Sequence, residues 1–107
     1  MTIDIKATGL DLTPALREYV EMKISSLDKF VRHWEMEGEI AAWVEVDRTS
    51  HHHHKGEVFR AIVDVKLPKK VLRAEAYHAD MRAAIDEVKD ILKREIVKYK
   101  ERQEESV

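Results

Sequence analysis

The residues here whose type and spacing point to chemistry are cations set at helical intervals. Between Lys89 and Arg102 lie six of them (Lys89, Lys93, Arg94, Lys98, Lys100, Arg102) against three anions, Asp90, Glu95 and Glu101. Arg94, Lys98 and Arg102 recur every fourth residue, which stacks them in one stripe along a helix beside its apolar positions. Lys23 stands between Val20 and Leu27, at the edge of a second apolar stripe, and Lys29 follows it. Two such helices packed side by side would bring these edges together in a basic groove. An RNA backbone suits such a groove, because each neutralised phosphate releases condensed counterions. The same spacing also describes a solvated helix face laced with i,i+4 ion pairs, and spacing alone favours that plainer reading.

Three further clusters carry weaker signals. Lys66, Lys69, Lys70 and Arg73 put four cations and no anion on a predicted hairpin tip. They could touch phosphate, or simply guard a sheet edge. His51, His52, His53 and His54 form a run of the kind that captures transition metals. It lacks the defined ligand spacing of a zinc site, and the chain has no cysteine, so no resident metal or other cofactor is expected. A metal-responsive module built on this loop is the second reading of the chain. Trp43 falls on the strand face away from the predicted core, with Val58 and Ile62 beside it. An exposed aromatic sheet stacks bases in some RNA-binding folds, but cross-strand packing explains these residues as well. A protein-interaction surface around Trp43 is a third reading. The serines occupy no nucleophile turn, and three glycines in the whole chain leave no phosphate-binding loop. An enzyme is not expected.

The elements that must position these residues follow from hydropathy. Ile3, Ile5 and Ala7 alternate with polar residues as in a half-buried strand. Thr13-Pro14 opens a helix predicted over 14–33, with Thr at N-cap and Pro in the first turn. Residues 39–47 and 57–66 alternate again, and Leu72, Ala74 and Ala76 mark a fourth strand. Asp80 caps a long helix whose apolar stripe is Met81, Ala84, Ile85, Val88, Leu92, Ile96 and Tyr99. The order β-α-β-β-β-α predicts an α+β fold: a four-stranded sheet, its last three strands an antiparallel meander, with two helices on one face. Residues 1–101 are expected to form one domain and 102–107 a polar tail. The 107 residues hold 19 basic and 21 acidic side chains, so net charge is −2 and only local segregation can make a nucleic-acid surface. No apolar stretch approaches the roughly 20 residues that span a bilayer, and a soluble cytoplasmic protein is the expectation.

Two strings go further. Thr13-Pro14-Ala15-Leu16-Arg17-Glu18-Tyr19-Val20, followed by Lys23, resembles the first helix of the ribosome hibernation promoting factor and ribosome-associated inhibitor family. Asp80-Met81-Arg82-Ala83-Ala84-Ile85-Asp86, continuing through Arg94 and Lys98-Tyr99-Lys100, resembles its second helix. The resemblance implies a fold similar to a double-stranded-RNA-binding domain. It also implies binding to rRNA in the decoding region of the small ribosomal subunit, where the protein would exclude messenger and transfer RNA under stress. Lys23, Lys29, Arg94, Lys98 and Lys100 match basic family positions and are the RNA contacts so implied. Two positions depart from the family pattern. Ile91 stands where a lysine is frequent, and the connection bearing Lys69 and Lys70 is commonly glycine-rich. Lys89, Lys93 and the hairpin lysines would then compensate.

Overall fold

The computed structural model describes residues 1–50 and 57–105. Its elements are β1 (Thr2–Thr8), α1 (Pro14–Ser25), α2 (Asp28–Val31), a 3-10 segment (Arg32–Glu37), β2 (Ala41–Ser50), β3 (Glu57–Leu67), β4 (Lys70–His78) and α3 (Met81–Glu105). The α+β order predicted from the sequence is the one observed. The histidine run lies outside the described residues.

The four strands form one sheet in the order β1-β2-β3-β4. β2, β3 and β4 are the antiparallel meander, while β1 runs parallel to β2, from Thr2 opposite Ala41 to Thr8 opposite Asp47. A parallel neighbour requires a crossover. That crossover is α1 with α2, so the helices are drawn onto one face of the sheet. Gly9, at φ +73°, starts the turn out of β1, and a Cβ there would meet the Arg48 carbonyl oxygen at 3.0 Å.

Period-2 alternation sends Val44, Val46, Ala61, Val63, Val65, Leu72, Ala74 and Ala76 to the covered face. There they pack with Val20, Ile24 and Leu27 from the first helical region and Ala84, Ile85, Val88, Leu92 and Ile96 from α3. α3 lies over β3 and β4, α1 contacts β1, and both α1 and α2 touch α3. Truncating one of these fully buried side chains, such as Leu92→Ala, would cost about 2–5 kcal/mol.

The helix caps match the sequence. Thr13 Oγ1 accepts from the Leu16 N–H at 3.1 Å, and Asp80 Oδ1 accepts from the Arg82 N–H at 3.0 Å. The helix expected over 14–33 is not continuous: α1 stops at Ser25 and α2 resumes at Asp28. Ser25 and Ser26 both turn their hydroxyls onto backbone carbonyls, of Met22 and Lys23. Such local bonds compete with helical propagation, and the break lets Leu27, Val31 and Trp34 all reach the core. At the other end α3 runs past Arg102 to Glu105. Gln103 holds it there, accepting from Trp34 Nε1 at 2.7 Å and donating to the Tyr99 hydroxyl at 2.9 Å.

Candidate nucleic-acid interface

The seam between α1–α2 and α3 is where charge and aromatic groups converge. Tyr19 and Lys23, four residues apart on α1, face Arg82 and Asp86, four apart on α3. The Tyr19 hydroxyl donates to Asp86 Oδ1 at 2.6 Å, and Lys23 Nζ lies 3.3 Å from the same oxygen. Lys23 and Arg82 sit against the Tyr19 ring, 5.5 and 4.9 Å from its centroid. Further along the seam, the arrangement repeats around Phe30 of α2. Lys29 and Lys93, one from each side of the seam, each lie 5.3 Å from its centroid. All four distances are within cation–π range. Each ring therefore holds one cation from either bank.

Two carboxylates stand among these cations. Asp86 binds Tyr19 and Lys23, and Asp90 pairs with Lys89 Nζ at 2.7 Å. The Lys89 hydrogen bond holds the Asp90 carboxyl below the usual carboxylate range; the charges of Lys89, Arg94 and Lys23 add to this, while partial burial opposes it. The Tyr19 hydroxyl is pushed above its ordinary pKa, chiefly by its bond to Asp86, with desolvation and the Asp86 charge acting in the same direction. Among the described residues, Lys29, Lys93 and Arg94 form no ion pair, so they keep charge free for a ligand.

The candidate cations fall into three groups. Lys23, Lys29, Lys89 and Lys93 belong to the seam, with Arg94 close enough to act on Asp90. Lys98 is not beside α1. It lies about 140° around the helix from Lys93 by helical geometry, pairs with Glu95 at 3.8 Å, and yet borders a shallow depression that Asp90, Lys93 and Arg94 also line. Arg102 is on the far flank, where it meets Lys70, Leu72 and Glu95 across a depression against β4. The four-residue stripe thus starts beside the seam at Arg94, passes Lys98 on the rim of the same depression, and reaches the far flank only at Arg102. Lys69 is exposed in the β3–β4 turn, and Lys100 is exposed on α3. Ile91, where the family pattern favours lysine, is partly buried against the core.

The sequence alone did not single out Arg82, Tyr19 or Phe30 as parts of the site. The available signal was the Tyr19–Lys23 and Arg82–Asp86 spacing, two i,i+4 pairs able to interlock once the helices are neighbours.

The uncovered face of the sheet is built differently. By register it carries the rows Asp4–Trp43–Asp64–Arg73 and Lys6–Glu45–Ile62–Glu75. Arg60 binds Asp47 Oδ2 through Nε and Nη2 at 2.9 and 2.6 Å and approaches Glu75 at 3.6 Å, and Arg73 pairs with Asp64 at 3.0 Å. Trp43 is 51% exposed, but both of its direct cross-strand neighbours are carboxylates. Ile62 shares its face yet is buried. Trp43 thus lacks the flanking free cations that a base-stacking surface uses to hold the backbone, since Arg73 on its row is paired with Asp64. Among the described residues no cluster of three or more His, Cys, Asp or Glu is arranged to hold a metal ion. No described helix is long and apolar enough to cross a membrane.

This architecture has known counterparts. The chain is 33% identical over 98 residues to the ribosome hibernation promotion factor of Deinococcus radiodurans, covering 92% of this chain and 48% of that protein. It therefore spans about half the length of that relative. It is 36% identical over 103 residues to the ribosome hibernation promoting factor of Azotobacter vinelandii, covering 96% of this chain and 86% of that one. Among solved structures, the Thermus thermophilus Protein Y N-terminal domain superposes with a TM-score of 0.76 at 31% identity, covering 92% of this chain and 99% of that domain. The family model described as Sigma 54 modulation protein / S30EA ribosomal protein matches residues 3–104, nearly every residue of the fold, and the chain belongs to that family.

Proposed function

We propose that this protein is a ribosome hibernation factor that binds the small ribosomal subunit through the α1–α3 seam. Seated in the decoding region, it would exclude messenger and transfer RNA. It acts in the cytoplasm, where the ribosomes are, by occupancy and not by catalysing a reaction. The observation that carries this reading is the convergence of Lys29, Arg82, Lys93 and Arg94 on one seam, beside the paired Lys23 and Lys89, from segments far apart in the chain. The names of the relatives support the ribosome as partner. The hairpin lysines Lys69 and Lys70, with Lys98 and Lys100, would make outer contacts to the rRNA backbone.

Co-sedimentation with purified small subunits across a salt series tests the proposal. Binding should be saturable and should weaken as salt rises. Lys29→Glu with Lys93→Glu, the two unpaired lysines over Phe30, should lower affinity about 100-fold or more and flatten the salt dependence by about two phosphate contacts. Normal binding by that double variant would show that the seam is not the interface.

A further inference from the structure

β4 closes the sheet at one end. Among the described residues it pairs with β3 alone, in an unbroken register from Phe59 opposite His78 to Leu67 opposite Lys70. Its outer row of backbone N–H and C=O groups therefore has no strand beside it. No bulge, proline or left-handed residue interrupts the strand. Such an edge pairs readily with another strand unless something blunts it, and a row of like charges is one way to do so. On β4 the sign alternates instead. Arg73 and Glu75 lie two residues apart on the open face, with Val71 before them and Tyr77 after, 55% and 50% exposed. Leu72, Ala74 and Ala76 turn to the other face, beneath α3.

We propose that the β4 edge is a self-association site, where β4 of a second copy of this chain pairs antiparallel and joins the two four-stranded sheets into one. The residues of β4 select the register. With Ala74 opposite Ala74 of the second copy, Arg73 of each copy faces Glu75 of the other, and Val71 of each faces Tyr77 of the other. Every such contact occurs twice, as a two-fold axis requires. Opposite charges directly across from each other, and aromatic residues across from β-branched ones, are favourable cross-strand pairs. Slipping the pairing by two residues either way sets Arg73 against Arg73 or Glu75 against Glu75. Slipping it by one turns the apolar row to the wrong face. Arg73 already holds Asp64 at 3.0 Å and Glu75 approaches Arg60 at 3.6 Å, so the new pairs extend a charge ladder that runs across the open face. The β1 edge has a similar sign pattern in Asp4 and Lys6, but Glu18 and Glu21 of α1 border it beside Met1 and Ile3. Two copies joined there would bring those acids together. Beside β4 the flanking α3 residues are of both signs, Glu95 and Arg102. The seam with α1 and α2 lies on the opposite flank of α3 and stays uncovered in the pair.

Sedimentation velocity of the whole chain, from micromolar to near-millimolar concentration, should show a reversible dimer. Arg73→Glu and Glu75→Arg each set like charges opposite each other at two symmetric positions, and each should weaken self-association about tenfold or more. Mixed in equal amounts, the two variants should associate again to within about threefold of wild type, because one copy then supplies two acids and the other two bases. The intrachain pairs that each substitution breaks are lost in monomer and dimer alike, and circular dichroism checks that both variants fold. Lys6→Glu, on the β1 edge, should change nothing. A second reading leaves those charges alone. Val71→Cys mixed with Tyr77→Cys should on oxidation form a disulfide between the two variants and none within either alone, and the chain has no other cysteine. A wild type that stays monomeric throughout, variants that associate as wild type does, or a mixture no tighter than its components would overturn the proposal. Dissociation by Lys6→Glu would also overturn it, by moving the contact to β1. Ribosome binding through the seam stands or falls separately from all of these outcomes.

Discussion

The two faces of this molecule use the same charged residue types to opposite ends. On the open sheet face, strand register sets arginines directly beside carboxylates, and Arg60–Asp47 and Arg73–Asp64 close at 2.6 and 3.0 Å. Those cations are spent on the protein itself. Across the helical seam, side chains approach from two elements with separate axes. Aromatic rings sit between them, and Lys29, Lys93 and Arg94 are left without carboxylate partners among the described residues. A cation over a ring remains available to a phosphate; a cation locked in a hydrogen-bonded carboxylate pair does not. Net charge, at −2, describes neither face.

The sharpest way to break this contrast is to move the charge reversal. Lys6→Glu with Lys66→Glu, on the sheet face, changes net charge as much as the Lys29/Lys93 pair does. It should leave small-subunit affinity within about twofold, against about 100-fold for the seam pair. Comparable losses from both would mean that binding follows total charge and not location.

An intermediate effect is expected from the sheet face itself. Asp47→Ala leaves Arg60 without its best partner in a half-buried site, because Glu75 lies farther away. Urea denaturation should show a loss of about 1–3 kcal/mol, with ribosome binding unchanged. A binding defect without a stability defect would assign that face a functional role it lacks here.

The smallest effect concerns the seam's own hydrogen bond. Neutral Tyr19 donates to Asp86, so its stabilising contribution is complete below the ordinary tyrosine pKa of about 10 and is lost as pH rises through the higher folded value. Ultraviolet titration, with Tyr19→Phe subtracted, should find this phenol ionising above that of a free tyrosine. Asp86→Asn should bring it back toward the ordinary range. A phenol that titrates at the free value would mean that the Tyr19–Asp86 bond does not persist in solution.

Much of this was legible in the residues. The strands could be read because their alternation has a period of two, and the covered face follows from Val44, Val46, Ala61, Val63 and Val65. Thr13 and Asp80 announced their helices because capping is local chemistry. The break at Ser26–Leu27 was not legible, since the apolar spacing continues through it. Only the packing of Leu27, Val31 and Trp34 makes a bent path better than a straight helix. The tail was read as polar from Arg102 onward, although Gln103 finds Trp34, 69 residues away.

The cationic surface divides along the same line. Composition and spacing determined that α3 would carry an excess of lysine and arginine beside an apolar stripe, and that Lys23 would edge another. Both are properties of one helix at a time. Which flank of α3 meets α1 is set by the tertiary structure, through the crossover that places β1 parallel to β2 and the packing that lays α3 over β3 and β4. That choice put Lys89 and Lys93 in the seam with Tyr19 and Phe30, left Lys98 at its rim, and turned Arg102 away toward β4. A stripe of charge has no preferred side until a neighbouring element is docked against it.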